Sequence, residues 1–204
     1  IFGATPAMGG TLELGGQAFR PRAPREAIER GVYLVPEDRK RHGLVLPFSI
    51  TENVSLSALP RYTRWGVLDR RQERETARRE MSRLKIRAKG AAQPAAQLSG
   101  GNQQKVVLGK WLALAPRVLI MDEPTRGIDV GAKAEIYRHM AALASEGVSI
   151  LMVSSDLEEI LGMSDRVVVM HERRVQGVLE RDELSPHRLA RLMTGQSAVS
   201  GAAA

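Results

Sequence analysis

Residues 97–131 read QLSGGNQQKVVLGKWLALAPRVLIMDEPTRGIDVG, and this stretch decides the fold of the chain. It contains three parts in a fixed order. A Ser-Gly-Gly turn opens a helix, an apolar run ends in Asp-Glu, and a short loop carries a further aspartate. Each part occurs in many unrelated proteins, whereas the order and spacing of all three are specific.

The first part has the features of an anion-binding helix start. Ser99 is a good N-cap, because its hydroxyl can accept a hydrogen bond from a backbone N–H of the first turn. Gly100 and Gly101 have no Cβ, so another molecule can approach the backbone closely. Apolar residues then recur at helical spacing over 102–114. Such a helix N-terminus suits phosphate, although many Ser-Gly-Gly turns merely start a helix.

The second part predicts a buried strand with acidic residues at its end. Residues 118–121 form a continuous apolar run, which is typical of a strand buried on both faces. Asp122 and Glu123 follow at the carboxyl end, where open α/β sheets bind ligands. An aspartate there can hold Mg2+ directly or through water, and a neighbouring glutamate can accept a proton from attacking water. The alternative interpretation is an exposed acidic strand end.

Taken together, residues 98–102 (LSGGN), 118–125 (VLIMDEPT) and 127–129 (GID) resemble the nucleotide-binding domain of ABC ATPases. The resemblance implies an α/β fold of the P-loop NTPase type. Its sheet is mostly parallel, with a small antiparallel β piece and a helical subdomain at about 49–97. It also implies ATP and Mg2+ as ligands.

The resemblance assigns a role to each part. In this family the signature turn, here Leu98, Ser99, Gly100, Gly101 and Asn102, covers the γ-phosphate of ATP held by an opposing cassette, so the functional unit is a head-to-tail pair. Asn102 stands where the family usually has glutamine. Glu123 and Asp129 are the implied catalytic residues, and Asp122 would hold Mg2+ through water.

Residues 36–53 carry a narrower resemblance, to the second cassette of monosaccharide-importer ATPases of the ribose, galactose and xylose type. Most ABC cassettes have a glutamine at this strand end that coordinates Mg2+, contacts nucleotide and senses the transporter. Glu37 occupies that position here. The alternative for 37–41 is a solvated charged loop. Ser155 stands where most cassettes have a histidine that contacts the γ-phosphate, and a serine cannot be cationic.

These substitutions lead to a functional hypothesis. With Glu37 and Ser155 altered, we expect the chain's own nucleotide site to be slow or merely structural, while the signature turn and Asp129 are intact. The expected role is to donate this turn to ATP in the other, hydrolytic cassette of the same polypeptide. The expected partners are that cassette, transmembrane permease subunits and, indirectly, a periplasmic sugar-binding protein. The expected location is the cytoplasmic face of the inner membrane, bound peripherally.

The remaining sequence predicts alternating strands and helices, and the alternation after residue 115 predicts a parallel, doubly wound sheet. Ser49 and Glu52 form a capping-box pattern that opens a helix. The predicted strands are 11–14, 17–19, 31–36, 148–153 (fully buried), 167–170 and 175–179. The further predicted helices are 24–30, 132–145 and 186–193.

Residues 61–89 are dense in arginine, with sparse apolar residues at helical spacing. This pattern predicts a surface helix with one narrow apolar stripe, made of Val67, Leu68, Ala77, Met81 and Leu84. Three interpretations stay open: a solvated helix, a surface that faces a membrane partner or phospholipid, and a nucleic-acid surface. Aromatics interleaved for base stacking are missing, which disfavours nucleic acid.

The composition fits a globular chain without disulfides. The 204 residues suit one domain, 43% of them are hydrophobic, and cysteine is absent. No apolar run approaches the ~20 residues of a membrane span. The net charge of +7 suits an anionic partner. The basic stretch at 61–89 suggests a DNA-associated ABC-type ATPase as the alternative function, although the absence of a long coiled coil and of zinc-binding cysteines argues against it. A non-catalytic scaffold is a third reading.

No G-x-x-x-x-G-K-[ST] motif occurs in the sequence. In the family this phosphate-binding loop lies upstream of the phrase that begins here at Ile1. We therefore expect residues 1–196 to be a partial nucleotide-binding domain without its N-terminal strands, inactive by itself. Residues 197–204 are small and polar, and we expect them to form a disordered tail.

A sheet that lacks its first strands exposes an unpaired edge and apolar surface. We therefore expect the isolated chain to self-associate. Size-exclusion chromatography with light scattering should give a mass of at least twice the 22.4 kDa of one chain. A single monomeric peak over a wide range of concentrations would contradict the expectation.

Overall fold

The computed structural model describes residues 1–195. These residues form two compact units, Ile1–Val153 and a second unit that begins at Ser154. The tail expected at 197–204 lies outside the described residues, and the expected domain limits stay predictions. Among residues 1–195, none of the helices combines the length and the apolar character that a membrane crossing requires.

The described strands belong to one parallel sheet and three antiparallel hairpins. The strands are β1 (Glu13–Leu14), β2 (Gln17–Ala18), β3 (Val32–Val35), β4 (Thr63–Arg64), β5 (Val67–Leu68), β6 (Val118–Asp122), β7 (Ser149–Val153), β8 (Arg166–His171) and β9 (Arg174–Glu180). The parallel sheet has the order β3-β6-β7, and the hairpins pair β1 with β2, β4 with β5, and β8 with β9.

Seven α-helices lie within residues 1–195. They are α1 (Pro24–Glu29), α2 (Ile50–Ser55), α3 (Arg70–Arg83), α4 (Gly100–Leu112), α5 (Val130–Ser145), α6 (Leu157–Met163) and α7 (Pro186–Met193). A π-helical turn spans Arg39–Gly43, and 3-10 turns span Leu56–Tyr62, Ala95–Gln97 and Arg181–Glu183. Helix α7 has the limits that its sequence predicts, because Ser185 caps it and Pro186 fixes its first turn.

The parallel sheet positions the candidate site. Strand β6 is its centre, with Leu119 and Met121 fully buried, and Val35 of β3 lies opposite Met121. Because β3 and β6 are parallel, both strands leave the sheet at the same edge. The α/β fold class with a parallel sheet and small antiparallel pieces is confirmed.

Two sequence predictions about the later strands are wrong in detail. Strand β7 is not fully buried, since Leu151 is 41% and Val153 50% exposed. Within residues 1–195, β7 pairs with β6 alone and forms an edge of the sheet. Strands β8 and β9 do not extend the parallel sheet, because the tight Glu172–Arg173 turn folds them into an antiparallel hairpin.

The basic stretch also differs from its prediction. Helix α3 begins only at Arg70, and the preceding residues form a 3-10 turn and the β4–β5 hairpin. Val67 is exposed, while Glu73 and Glu80 are buried. Glu73 tolerates burial because it accepts hydrogen bonds from Ser55 Oγ (2.5 Å) and from the Arg70 guanidinium (3.2 Å). The buried face of α3 is Glu73, Thr76, Ala77 and Glu80, followed by Leu84.

The start of α2 is fixed by the capping box that the sequence predicts. Ser49 Oγ accepts a hydrogen bond from Glu52 N (3.2 Å), and Glu52 Oε2 accepts from Ser49 N (2.8 Å) and Ser49 Oγ (2.6 Å). These hydrogen bonds hold the pKa of Glu52 below its usual range. The buried Asn53 adds a second anchor, since its amide joins Val45, Phe48 and Ser49.

Ser49→Ala should lower the free energy of unfolding by about 1 kcal/mol, because it removes the side-chain half of the capping box. Urea unfolding at pH 7 measures this. Ser82→Ala, at an exposed position of α3, is the matched control and should change stability by less than about 0.5 kcal/mol. Equal midpoints for the two variants would contradict the prediction.

Candidate functional site

The carboxyl end of β6 carries the acidic pair that the sequence predicts. Asp122 and Glu123 are both half-buried. Glu123 has a left-handed backbone with φ of 45°, which is uncommon for a residue with a Cβ. Its N–H donates to Val153 O (2.8 Å), and its carbonyl accepts from Arg126 N (3.1 Å). The chain therefore turns sharply after β6, and the strained residue is the candidate catalytic glutamate.

The predicted signature turn lies at the start of α4. Leu98 is buried, Ser99 is exposed, and Ser99 caps the helix. Asn102, in place of the usual glutamine, donates its Nδ2 to Ser99 Oγ (2.9 Å) and accepts from Arg87 N (2.8 Å). Asn102 therefore ties the turn to the segment that follows α3.

The two glycines of the turn are needed for a reason that the sequence did not reveal. A Cβ on Gly100 would lie 2.6 Å from Arg39 Nη2, and a Cβ on Gly101 would lie 2.5 Å from Ala132 Cβ. Both contacts are within the chain itself. The glycines thus let the turn pack against the π-helical turn and against α5, in addition to any approach by another molecule.

Asp129 lies in the loop after β6, as predicted, and its side chain has a structural role. Asp129 Oδ1 accepts a hydrogen bond from Ala132 N (2.9 Å) and caps α5. Since Ala132 also packs on Gly101, this cap holds α5 next to the signature turn. A catalytic role for Asp129 stays a prediction.

Glu37 follows β3 and is exposed at the edge where β6 also ends. Its carboxylate forms an ion pair with Arg126, from the loop after β6. The two loops are therefore joined by opposite charges at adjacent strand ends. Within residues 1–195 no group of three acidic, histidine or cysteine side chains forms a metal site. The proposed role of Glu37 toward Mg2+ and nucleotide stays a prediction.

Arg39 is a contact residue that sequence reasoning missed. Its Nη1 donates to Arg126 O (3.1 Å) and its Nη2 to Gly127 O (3.4 Å). It begins the π-helical turn, which Asp38 caps by accepting from two backbone N–H groups, and these bonds lower the pKa of Asp38. The signal was the Glu-Asp-Arg-Lys phrase, which singled out the segment without showing what each side chain touches.

Lys110 of α4 holds the other end of the π-helical turn. Its Nζ donates to Gly43 O (2.6 Å) and lies 5.2 Å from the centre of the Trp111 ring. A Cβ on Gly43 would meet Val107 of α4 at 2.9 Å, so the turn and the helix are in close contact. Residues 37–43 are therefore fixed to α4 at one end and to the loop after β6 at the other.

Ser155 belongs to the second unit and precedes α6. The adjacent Ser154 Oγ donates to Glu159, and Asp156 caps the helix. Within the first unit, the structure brings together the signature turn, the acidic end of β6 with its loop, and Glu37. The role of Ser155 toward nucleotide stays a prediction.

The family model described as ABC transporter matches residues 1–126, more than half of the chain. The chain belongs to the ABC transporter family. The resemblance to the ABC family is thereby confirmed, and the matched range contains residues 98–102 and 118–125.

The ABC chain is also similar to curated proteins of known name. The ribose import ATP-binding protein RbsA 2 of Rubrobacter xylanophilus is 52% identical over 204 residues, which cover 100% of this chain and 39% of that protein. The ribose import ATP-binding protein RbsA of Geobacillus kaustophilus is 48% identical over 195 residues, covering 96% of this chain and 40% of that protein. The chain thus spans well under half the length of these relatives.

Solved structures confirm the fold. The ADP conformation of MJ1267, an ATP-binding cassette of an ABC transporter, superposes with a TM-score of 0.77 at 21% identity, over 96% of this chain and 80% of that chain. A dimeric post-hydrolysis state of the ATP-binding cassette MJ0796, bound to ADP and Pi, gives 0.71 at 20% identity, over 85% and 74%. At these identities the likeness concerns the fold.

The buried Lys110 should make stability depend on pH. Burial lowers the pKa of Lys110 from 10.5 to about 8. In the unfolded chain the pKa of Lys110 returns to its ordinary value. Between about pH 8 and pH 10.5 the unfolded chain therefore binds more protons than the folded chain, so the free energy of unfolding rises with pH in this range. The contribution should be about 2 kcal/mol between pH 7 and pH 10.

Urea unfolding of wild type and Lys110→Met across this range tests the prediction. The methionine variant should lose most of the rise. Lys40→Met, at an exposed position of the π-helical turn, should keep it. Parallel pH curves for wild type and Lys110→Met would contradict the assignment.

Proposed function

We propose that this chain is part of the ATP-binding subunit of an ABC importer for a simple sugar. In this proposal residues 98–102 supply the signature turn to ATP held by an opposing cassette. The proposal is supported most directly by the start of α4, where Ser99 is exposed at the N-terminus of a 13-residue helix. The names of the relatives, ribose import ATP-binding proteins, support the sugar as substrate class.

The chemistry of the turn suits a terminal phosphate. The first backbone N–H groups of a helix point outward, and the aligned peptide dipoles place partial positive charge there. A phosphate oxygen at this end gains hydrogen bonds without a lysine or arginine. Ser99 adds a hydroxyl at the exposed position, and Gly100 beside it is half-buried, whereas Gly101 is buried against α5. These features support contact with nucleotide across an interface.

The chain's own site has fewer of the required groups. ATP with Mg2+ would supply the phosphoryl group that is transferred to water. Asp122 would hold the ion through water, which needs only one or two carboxylates when phosphates complete the shell. Glu123 would accept a proton from the attacking water. Glu37, which would reach the ion and the nucleotide, instead pairs with Arg126.

These groups support different roles for the chain's own nucleotide site and for the site of the opposing cassette. The site built on Asp122 and Glu123 would turn over slowly or serve structure, and the opposing site would be hydrolytic. Closure of the pair would then drive the permease, with the subunit bound peripherally at the cytoplasmic face and the periplasmic sugar-binding protein acting indirectly. The DNA-associated alternative is weakened by α3, where Arg70, Arg71 and Arg79 each pair with a glutamate of the same helix.

The proposal is tested by two substitutions in the intact polypeptide, reconstituted with its permease in proteoliposomes. Ser99→Arg should reduce ATP-driven sugar uptake at least ~100-fold, because it places a long cation where the turn would cover phosphate. Glu123→Gln should retain a large part of the uptake.

Ser145→Arg is the matched control, since it adds the same side chain at an exposed position near the end of α5. It should transport like wild type. Loss of transport in Glu123→Gln together with normal transport in Ser99→Arg would reverse the assigned roles and overturn the proposal.

A further inference from the structure

We propose that Arg39 is a positioning residue that locks the loop after β6 to the signature turn, so that the chain presents both to the opposing nucleotide as one surface. The inference rests on the proposed function and goes further, because it assigns the alignment of the site to a side chain that contacts no reacting group.

The guanidinium spans two successive backbone carbonyls. Nη1 donates to Arg126 O at 3.1 Å, and Nη2 donates to Gly127 O at 3.4 Å. The planar fork of arginine can bond two acceptors at once, whereas the single ammonium of lysine acts as a point charge. The bonds reach backbone atoms, so they fix the path of the loop whatever its side chains are.

The same guanidinium also contacts the signature turn. Its Nη2 would be only 2.6 Å from a Cβ at Gly100, and Gly127 O would be 3.3 Å from it. Arg39, the loop carbonyl and the turn therefore meet at one point. Among the described residues no hydrogen-bond partner contacts the buried Nε of Arg39, so the side chain is packed into this junction and is held through its two terminal nitrogens.

The backbone of Arg39 is itself held firmly. Asp38 caps the turn that begins with Arg39, and Lys110 of α4 binds Gly43 O at the end of that turn. Two residues before Arg39, Glu37 pairs with Arg126. Residues 37–43 therefore bind the loop after β6 at two places. Glu37 binds a side chain of the loop, and Arg39 binds two of its backbone carbonyls. The end of the segment at Gly43 is anchored to α4, the helix that carries the signature turn.

Loss of Arg39 should affect turnover more than nucleotide affinity. The opposing cassette would bind ATP before the turn closes over it, so a misplaced turn weakens an interaction made mainly in the closed, reacting state. Such a loss lowers kcat and leaves KM nearly constant. A purely structural role would instead lower the thermal midpoint and the amount of active protein, with unchanged kcat per active site.

The test uses the full-length polypeptide reconstituted with its permease, and measures kcat and KM for MgATP per active site. Arg39→Ala should lower kcat about tenfold and change KM less than about threefold. Arg39→Lys, which keeps the cation but loses the fork, should recover only part of kcat. Lys40→Ala, at the next and exposed position, should behave like wild type. Wild-type kcat in Arg39→Ala or Arg39→Lys would overturn the inference.

A double-mutant cycle with Gly100→Ala tests the contact directly. If Arg39 fills the space at Gly100, the added methyl group should do much less harm in Arg39→Ala, and the two losses in kcat should be less than multiplicative. Fully multiplicative losses would overturn the inference. If Arg39→Ala fails to fold, the same cycle with Arg39→Lys decides, because the shorter-armed cation also vacates the Nη2 position.

Ser99→Arg is measured in parallel to separate the two proposals. Unchanged turnover in Ser99→Arg refutes the proposed function. Abolished turnover in Ser99→Arg, combined with wild-type kcat in Arg39→Ala, leaves the proposed function standing and refutes only the positioning role of Arg39.

Discussion

The in-register parallel pairing of β3 with β6 is the constraint on which the site depends. Val35 lies opposite Met121, so the two strands end side by side. Neighbouring strands are about 4.8 Å apart, and the chains that leave them must share a small space. Glu37 consequently meets Arg126, although 89 positions separate them. A shift of either strand by one residue would move its buried side chains to the other face and separate these loops.

Helix α4 is the second determinant, because it carries polar side chains through the core. Gln103 Nε2 donates to Ala95 O (3.0 Å), Lys105 Nζ to Lys85 O (3.1 Å), and Lys110 Nζ to Gly43 O. A buried polar group without a partner costs about 1–3 kcal/mol, so the contacts of Gln103 and Lys110 strongly favour one placement of their segments, while Lys105 also pairs with Glu135 of α5. The carbonyls belong to three separate turns. Helix α4 thus fixes three irregular segments around the signature turn, which lies at the start of this helix.

Local signals explain what the sequence could predict. Ser99 at the start of α4 and Ser49 with Glu52 at α2 mark helix limits through bonds within a few residues, and these limits are found in the structure. The face of α3 was not predictable in the same way. Apolar spacing favoured Met81, whereas the buried face contains Glu73 because Ser55, 18 positions away, supplies its partner. Burial of β7 likewise depends on which strands flank it.

The same holds for the candidate site: the sequence identifies the residue types, and the structure shows which partners they contact. The motifs identified the signature turn, the acidic pair and Glu37, because these residue types occur at characteristic spacing. They could not show that Gly100 makes room for Arg39, since that contact depends on the packed structure, whereas the cap that Asp129 forms on α5 is a local bond to a residue three positions along the chain. Sequence spacing therefore predicts which chemistry is present, and the three-dimensional contacts determine how firmly it is held.

The Glu37–Arg126 pair illustrates how a departure from a family pattern is accommodated. Glutamate in place of glutamine adds a negative charge at a strand end proposed to face phosphates, which would repel them. Arg126 neutralises this charge from the adjacent strand end. The side chains of Arg126 and Glu37 are 67% and 43% exposed, and exposed ion pairs contribute only about 0–1 kcal/mol. The pair thus cancels the added charge at the strand end while adding little rigidity, so the placement of the loop depends more on the two hydrogen bonds from the Arg39 guanidinium to Arg126 O and Gly127 O.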